Sequence, residues 1–345
     1  MENLINIAGA LHLPNPLFVD LRSPIEYEEA HIPGALNIPI FEDDERALIG
    51  TIYKEKSPEE AVDEGFSVVA PKLPEIQQRI KKLSKEYNVV LYCWRGGMRS
   101  QAISQVLAML GNNHYRLFGG FKSFRQYVLD FFASPFSQEL VVLHGLTGVG
   151  KTELLDKLYA EELPAIDLEG LAQNRGSVFG HIGMRKAPTQ KHFEGLLFAL
   201  CQRFKNFPRI MVECESRRIG SIMLPATFFQ AMQQGRRILI YDEMDNRTTR
   251  LIRTYTLEEN PENLQKLNAS IEKLRERLGH VKATNLLKAL QNKDYRTVAY
   301  QLLVDYYDPL YKYPDGPNEE YELSLNAGIQ EETYEVLKAL LVNKS

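Results

Sequence analysis

"ELVVLHGLTGVGKTELLDKLY", residues 139 to 159, decides the fold of one half of the chain. An apolar run ends in a glycine-rich loop, and the loop opens a helical pattern. Gly145 to Thr152 fits G-x-x-x-x-G-K-[ST] residue for residue, in the strand-loop-helix context that this phosphate-holding motif requires. Gly145, Gly148 and Gly150, with Thr147 and Val149 between them, can turn backbone N–H groups onto a phosphate. Lys151 adds a point charge and the Thr152 hydroxyl a ligand for Mg²⁺. The motif reads a diphosphate and does not read a base. Further strands are expected at 165–167, 209–214 and 237–241. From about Leu257 the pattern turns helical.

Working outward, the chain has 345 residues, 44% hydrophobic and 25% charged, enough for two or three domains. Its formal net charge is −4, so a nucleic-acid partner must be held by local basic patches. Three cysteines, Cys93, Cys201 and Cys214, make no disulfide framework. No apolar run reaches a membrane span, and "MENLINIAGA" lacks the basic start of a signal peptide. A soluble cytoplasmic protein is expected.

The first third alternates strands and helices. "LFVDL" (17–21), "ALNIPI" (35–40), "NVVLYC" and "YRLFGG" are strand-like. "SPIEYEEAH" opens a helix with Ser23 as N-cap. In "LPEIQQRIKKLSKEY", Ile76, Ile80 and Leu83 recur at helical spacing, and "SQAISQVLAMLG" is a helix closed by Gly111. Such alternation implies a mostly parallel sheet covered by helices. Within it, "VVLYCWRGGMRS" (89–100) puts Cys93 at a strand end, in a loop carrying Arg95, Gly96, Gly97 and Arg99. A cysteine attacks as thiolate, and its free pKa is about 8.5. The N-terminus of the following helix and the two arginines favour the anion. The same cradle, with Gly96 and Gly97 approaching closely, would hold a phosphate-like oxyanion or a chalcogen bonded to the sulfur.

These motifs carry a first resemblance. "FVDLRSPIEYEEAHIPGALNIPI", with Asp20 and Arg22, the strand ending in Cys93, and "LFGGFKSFR" resemble a rhodanese domain over about residues 10 to 135. The resemblance implies that Cys93 takes a sulfur or selenium atom from a donor and passes it on. The C-x5-R spacing also resembles the cysteine phosphatases, in which Cys93 would be the nucleophile and Arg99 the phosphate clamp.

Elsewhere the signals are weaker. Glu213 and Glu215 follow the apolar strand "RIMV", where an acid can orient metal or water. Arg247, Arg250 and Arg253 recur every third residue along a helix and are expected to share roughly one face. They could cover a transferring phosphate, contact RNA or form a solvated face. Arg217 with Arg218 and Arg236 with Arg237 read as solvated surface.

Over nearly its whole length the chain resembles the tRNA 2-selenouridine synthase family. "TIYKEKSPEEAVDEGF", "CWRGGMRS", "GLTGVGKT", "AIDLEGLAQNRGSVFG", "VECESRRIGSIMLP" and "YYDPLYKY" follow that family's order. Two departures stand out: Asn174 where a histidine is expected, and Cys214 where an acid is expected. The resemblance implies an α/β fold: a rhodanese-like parallel-sheet domain (1–135), a P-loop NTPase-like parallel-sheet domain (136–255) and a helical C-terminal region (256–345).

It further implies a transferase acting on the wobble uridine in the anticodon arm of tRNA. The sulfur of 2-thiouridine is replaced by selenium from selenophosphate, through an S-geranyl intermediate made from geranyl diphosphate. Cys93 would carry selenium as a selenylsulfide or activate it. Arg95 and Arg99 would hold selenophosphate or its phosphate product. Asp167, Arg175, Glu213, Glu215, Arg247 and Arg250 would support the phosphate loop. No tightly bound cofactor is expected beyond Mg²⁺ on Thr152. Partners are tRNA and a supplier of selenophosphate, with no membrane. Two other readings remain: a cysteine phosphatase-like domain fused to a small-molecule or nucleotide kinase, and a non-enzymatic sensor of nucleotide and RNA.

Overall fold

The computed structural model describes residues 3–175, 179–180, 182–256 and 261–342. Gly176 to Val178 of the "AIDLEGLAQNRGSVFG" segment, and Leu257, lie outside them. The chain divides into one compact unit of Met1–Ala133 with Pro188–Ala199, and another of Ser134–Ala187 with Leu200–Ser345.

In the first unit the strands are β1 (Asn3–Ile5), β2 (Pro16–Asp20), β3 (Leu36–Asn37), β4 (Asn88–Tyr92) and β5 (Tyr115–Leu117). Among the described residues they form one all-parallel sheet in the order β1-β5-β4-β2-β3, with Phe18 opposite Val90 and Asp20 opposite Tyr92. Val89 to Tyr92 are all buried, as expected of a central strand covered on both faces. The helix Leu73–Leu83 buries Ile76 and Ile80, and Met98–Met109 buries Ile103 and Leu107, against Val19, Val89 and Leu91. The "ALNIPI" strand is shorter than its pattern suggests. Pro39 has no N–H for the ladder, so pairing stops after Asn37, although Ile38 and Ile40 still donate to Asp20 and Leu21. Two helices, Asp43–Glu55 and Pro58–Val69, fill the "TIYKEKSPEEAVDEGF" region.

A buried ion pair joins this unit's loops. Arg22 donates from Nε to both oxygens of Asp20 (2.9 and 3.0 Å) and from Nη2 to the Ala30 carbonyl (2.7 Å). Its guanidinium lies 4.4 Å from the Phe121 ring centroid. Asp20 is fully buried and Arg22 is 1% exposed.

The second unit has β6 (Glu139–His144), β7 (Ala165–Ile166), β8 (Arg209–Glu213), a short hairpin of β9 (Arg218–Ile219) and β10 (Ile222–Met223), β11 (Arg236–Tyr241) and β12 (Leu323–Asn326). Its sheet is parallel throughout, in the order β12-β11-β6-β8-β7. β12 comes from the C-terminal stretch that the sequence reads as helical. "LSLN" is too short to override the helical periodicity around it, and its pairing with β11 is a tertiary fact. The helices Pro261–Lys273, His280–Gln291 and Tyr295–Leu302 enclose a second core around Phe179, Ile271, Leu286 and Leu303. The last continues into a π-helical turn, Leu303–Tyr307. No helix among the described residues is long and apolar enough to cross a membrane.

Removing Asp20 would leave a guanidinium buried without its charge partner. Asp20→Ala is therefore expected to cost about 3–5 kcal/mol in urea unfolding. The double variant Asp20→Ala/Arg22→Met should recover part of that loss.

Candidate functional site

Two constellations carry chemistry, one in each unit. In the first, β4 delivers Cys93 to its C-terminal end, 3% exposed. Its Sγ lies 3.2 Å from the Ser100 Oγ and 3.9 Å from the Gly97 carbonyl. The helix Met98–Met109 starts directly after the loop, so its unpaired N–H groups and dipole face the same space. Gly96 (φ +64) and Gly120 (φ +58) use backbone conformations that favour glycine. A β-carbon on Gly120 would stand 2.2 Å from the Cys93 carbonyl oxygen, and one on Gly96 2.6 Å from that of Leu117. The two loops therefore close on each other backbone to backbone: Phe121 N–H donates to Cys93 and Lys122 N–H to Trp94, both at 2.9 Å. Arg116 donates to the Gly96 carbonyl.

The two arginines differ in setting. Arg95 is exposed at the loop. Arg99 is gripped by Glu26 in a two-pronged pair at 2.6 and 3.1 Å. Burial pushes the Glu26 carboxyl up, but the Arg99 hydrogen bond and charge prevail and hold it below the usual carboxylate range. Arg99 is thus an oriented side chain, held at the helix start beside the cysteine loop. Neither Glu26 nor the Ser100 hydroxyl was singled out from the sequence for this loop. Glu26 lies 67 positions before Cys93, and nothing local announces the pairing.

In the second unit, β6 runs into the Gly145–Gly150 loop and the helix Lys151–Ala160. Gly145, Gly148 and Gly150 have φ of +143, +81 and +94. A β-carbon at Gly145 would stand 2.1 Å from the Ile240 carbonyl oxygen. Val149 is buried and anchors the loop to the core. Lys151 Nζ donates to the carbonyls of Gly145 (2.7 Å) and Leu146 (3.3 Å), closing the loop around its own ammonium.

The arginine series does not share one face. Successive three-residue steps fall about 60° short of a full turn, so Arg253 is exposed while Arg247 is 2% exposed. Arg247 donates to the Thr147 carbonyl (2.9 Å) and to Asp308 (3.1 Å). Arg250 donates to the Gly148 carbonyl (3.1 Å) and pairs with Asp242 and with Glu153 (3.2 Å). Arg247 braces the loop from its buried side, and Arg250 braces it from the cavity wall. The paired surface arginines are elsewhere: Arg217 and Arg218 are exposed, Arg236 is bound to Glu322, and Arg237 stacks over Tyr321.

A cavity of about 230 Å³ opens over the loop. Gly145 and Thr147 to Thr152 line it, with Thr152 exposed, and so do Asp156, Glu169, Arg175, Glu213, Cys214, Glu215 and Arg250. Its other wall is Leu251, Tyr255, Tyr307, Tyr311 and Tyr313. Tyr307 belongs to the π-helical turn, a form often kept at functional positions. Glu213, at the end of β8, accepts the Glu169 N–H at 2.8 Å through Oε1, while its buried Oε2 has no hydrogen-bond partner. Burial raises Glu213 and Glu169 well above the carboxylate range, with Asp167 and Glu215 respectively adding repulsion, and burial raises Glu215 as well. Burial lowers Lys151, which Glu169, Glu215 and Glu213 partly restore.

Asp167 caps the helix Leu168–Ala172, accepting from Gly170 N–H at 2.8 Å, so it stands behind the cavity wall. Arg175 donates to the Ile182 carbonyl at 3.2 Å. Asn174 packs against Gly220 in the β9–β10 turn. Cys214 accepts from the Tyr313 hydroxyl at 3.4 Å, and Cys201 is buried away in the fold. The tyrosine wall was quoted in part as "YYDPLYKY" but not assigned a role. Tyr255 comes from one helix, and Tyr307, Tyr311 and Tyr313 from a stretch some fifty residues further on.

No group of three or more His, Cys, Asp or Glu among the described residues forms a metal cage. The Thr152 hydroxyl and the orphan Glu213 oxygen are nonetheless hard oxygen donors on the cavity. Mg²⁺ asks for little more from a protein, since phosphates and water complete its shell.

Together these features define a rhodanese-like cysteine domain joined to a phosphate-loop α/β domain. A family model described as "Rhodanese-like domain" matches residues 6–127, and one described as "tRNA 2-selenouridine synthase AAA domain" matches 138–342. The chain belongs to the tRNA 2-selenouridine synthase family. It is 36% identical over 335 residues to the protein of that name from Hydrogenovibrio crunogenus, covering 87% of this chain and 90% of that one. It is 32% identical over 333 residues to the one from Pseudomonas syringae pv. syringae, covering 88% and 90%.

Two measurements check the geometry. Gly111 has φ +72 with nothing near its missing β-carbon, whereas Gly120 faces backbone on contact. Gly111→Ala should cost only the left-handed conformation, about 1–2 kcal/mol, and Gly120→Ala clearly more in urea unfolding. The second concerns His144, pushed down to about 4 by burial, then by Arg237 and Lys151. Its native pKa lies below its unfolded value near 6.5. As pH falls from 6.5 towards 4 the unfolded chain takes a proton that the native one refuses, and stability drops by at most about 1.4 kcal/mol per pH unit. His144→Phe should flatten that limb of the stability-against-pH curve and leave pH 7 to 8 parallel to wild type.

Proposed function

We propose that the protein converts 2-thiouridine in tRNA to 2-selenouridine, through an S-geranyl intermediate. The observation that carries the reading is the cavity over the phosphate loop: diphosphate-holding backbone at one end, a tyrosine and leucine wall at the other. That pairing suits a diphosphate bearing a short hydrocarbon.

In the first step the thiocarbonyl sulfur attacks the carbon bearing the diphosphate. The carbon–oxygen bond breaks, diphosphate leaves, and the uridine N3 proton is released. The loop N–H groups and Lys151 hold the leaving diphosphate. Mg²⁺ on Thr152, with Glu213 behind it, would supply further charge neutralisation. Lys151 must be protonated for this, and its lowered pKa sets an alkaline limit on binding.

In the second step selenium displaces the alkylated sulfur at C2. The sulfur leaves as geranyl thiol, a far better leaving group than sulfide. Selenium in selenophosphate is already at the selenide level, so displacement followed by P–Se hydrolysis needs no outside reductant. A Cys93 selenylsulfide would need a two-electron oxidant to form from selenide-level selenium, so Cys93 acts on the donor without forming one. Cys93, Ser100 and the helix N-terminus act on the selenium donor, with Arg95 and the Glu26-oriented Arg99 beside them.

The kinase alternative loses ground because Arg247 and Arg250 are committed to loop carbonyls and to Asp308 and Asp242. The test is mass spectrometry of tRNA nucleosides after incubation with selenophosphate and geranyl diphosphate. Wild type should yield 2-selenouridine. Cys93→Ser should yield none, yet still accumulate the S-geranyl nucleoside. Lys151→Ala should bind inorganic pyrophosphate about tenfold or more weakly and leave alkylation of Cys93 by iodoacetamide unchanged. Normal selenation by Cys93→Ser would sink the reading, as would ATP-dependent phosphorylation of a small acceptor in its place.

A further inference from the structure

In the rhodanese-like unit, the helices Asp43–Glu55, Pro58–Val69 and Met98–Met109 line a groove of about 810 Å³. Its volume falls within the range of small-molecule sites, roughly 300–1,000 Å³. Ile40, Phe41 and Ile103 are buried in its floor. Val62, Phe66 and Met98 stand along it at 49%, 68% and 62% exposure. Contiguous apolar side chains left this open mark a binding surface. Ala61 and Gly65, one helical turn apart, keep one wall thin, and a β-carbon at Gly65 would already stand 3.3 Å from the Phe41 ring.

Two features say what occupies it. The groove reaches Met98 and Arg99, which follow Gly96 and Gly97 of the cysteine loop. A ligand whose reacting carbon lies at Cys93 would therefore find apolar surface close by. The lining also carries Arg46, Lys54 and Arg99, offset in part by Glu26, which pairs with both arginines. An apolar floor with cations at its edge suits a hydrocarbon chain tethered to a polyanion.

We infer that this groove holds the terpenyl chain of S-alkylated thiouridine RNA while selenium is delivered beside Cys93. The inference rests on the reaction sequence proposed above and adds a place for its intermediate. In that step the C2–Se bond forms and the C2–S bond breaks. The electron pair leaves on the terpenyl thiolate, which takes up a proton, and nothing is oxidised or reduced. The groove stabilises the bound chain and retains the departing thiol's hydrocarbon away from water.

The test uses the full-length protein and two synthetic anticodon stem-loops, one bearing S-geranyl-2-thiouridine and one bearing 2-thiouridine. Phe66→Asp and Ala102→Trp change exposed groove residues, and a thermal melt confirms that each variant folds. Both should weaken binding of the geranylated stem-loop about tenfold or more and leave the thiouridine stem-loop within about twofold. Selenation of the geranylated stem-loop at subsaturating RNA should fall by the same factor, while geranylation of the other stem-loop persists. Equal losses on both RNAs, or none, overturn the inference. So does a change of oligomeric state with RNA binding untouched, which would make the groove a protein interface. If wild type makes both products and the variants match it, the groove assignment alone fails. If wild type makes neither, the reaction sequence fails and the groove assignment with it.

Discussion

No β-carbon fits at residue 120, because the Cys93 carbonyl oxygen occupies its place. That single exclusion sets the geometry of the cysteine loop. With glycine there, the chain after β5 can lay its backbone on the chain after β4 and tie it with hydrogen bonds from Phe121 and Lys122. The loop's own N–H groups are then left for a ligand, and Sγ is held beside Ser100 under a helix start. The phosphate loop obeys the same constraint at Gly145, whose missing β-carbon would meet the Ile240 carbonyl. In both units neighbouring backbone, beyond β4 in one and within β11 in the other, approaches so closely that side chains are excluded. The anion cradle is what remains.

Where a cradle is built from backbone, arginines need not touch the ligand to matter. Arg247 and Arg250 spend their donors on Thr147 and Gly148 carbonyls, and Arg116 on that of Gly96. Each fixes a peptide plane by its oxygen and so aims the peptide's other side. Their charges are balanced at close range by Asp308 and Asp242. The positive potential felt in the cavity then comes chiefly from oriented peptides, the helix dipole and Lys151. Such groups are fixed before a ligand arrives and need little rearrangement when charge moves. Lys151 is held by the Gly145 and Leu146 carbonyls, with burial lowering its pKa and three acids partly restoring it.

Much of this was legible in the sequence because the features are local. A strand, a glycine pattern and a helix start occupy consecutive residues, so "GLTGVGKT" and "CWRGGMRS" declare their loops outright. The buried run Val89–Tyr92 and the Ile76/Ile80 spacing declare a covered parallel sheet in the same way. What escaped is what depends on distant partners. β12 reads as a break within helical sequence until β11 pairs with it. The tyrosine wall joins Tyr255 to Tyr307, Tyr311 and Tyr313, two segments with no common pattern. Glu26 reads as a helix-start acid, and it is one, accepting from the Ser23 N–H at 3.3 Å. The same carboxylate also fixes Arg99.

Residue type alone leaves the role of an arginine open in the same way. A guanidinium in a glycine loop reads as a ligand clamp, because an exposed arginine would have its donors free. Burial reverses the inference: a guanidinium at 2% exposure, like Arg247, must satisfy its donors inside the protein. Its partners are then structural by necessity, and catalytic influence passes through them. Arg95, exposed at its loop, is free of that requirement, and Arg99 lies between the two cases, with 18% of its side chain exposed and a carboxylate already in its fork. Whether an arginine binds the substrate or shapes what binds it is thus set by the depth at which the fold places it, which no motif spacing encodes.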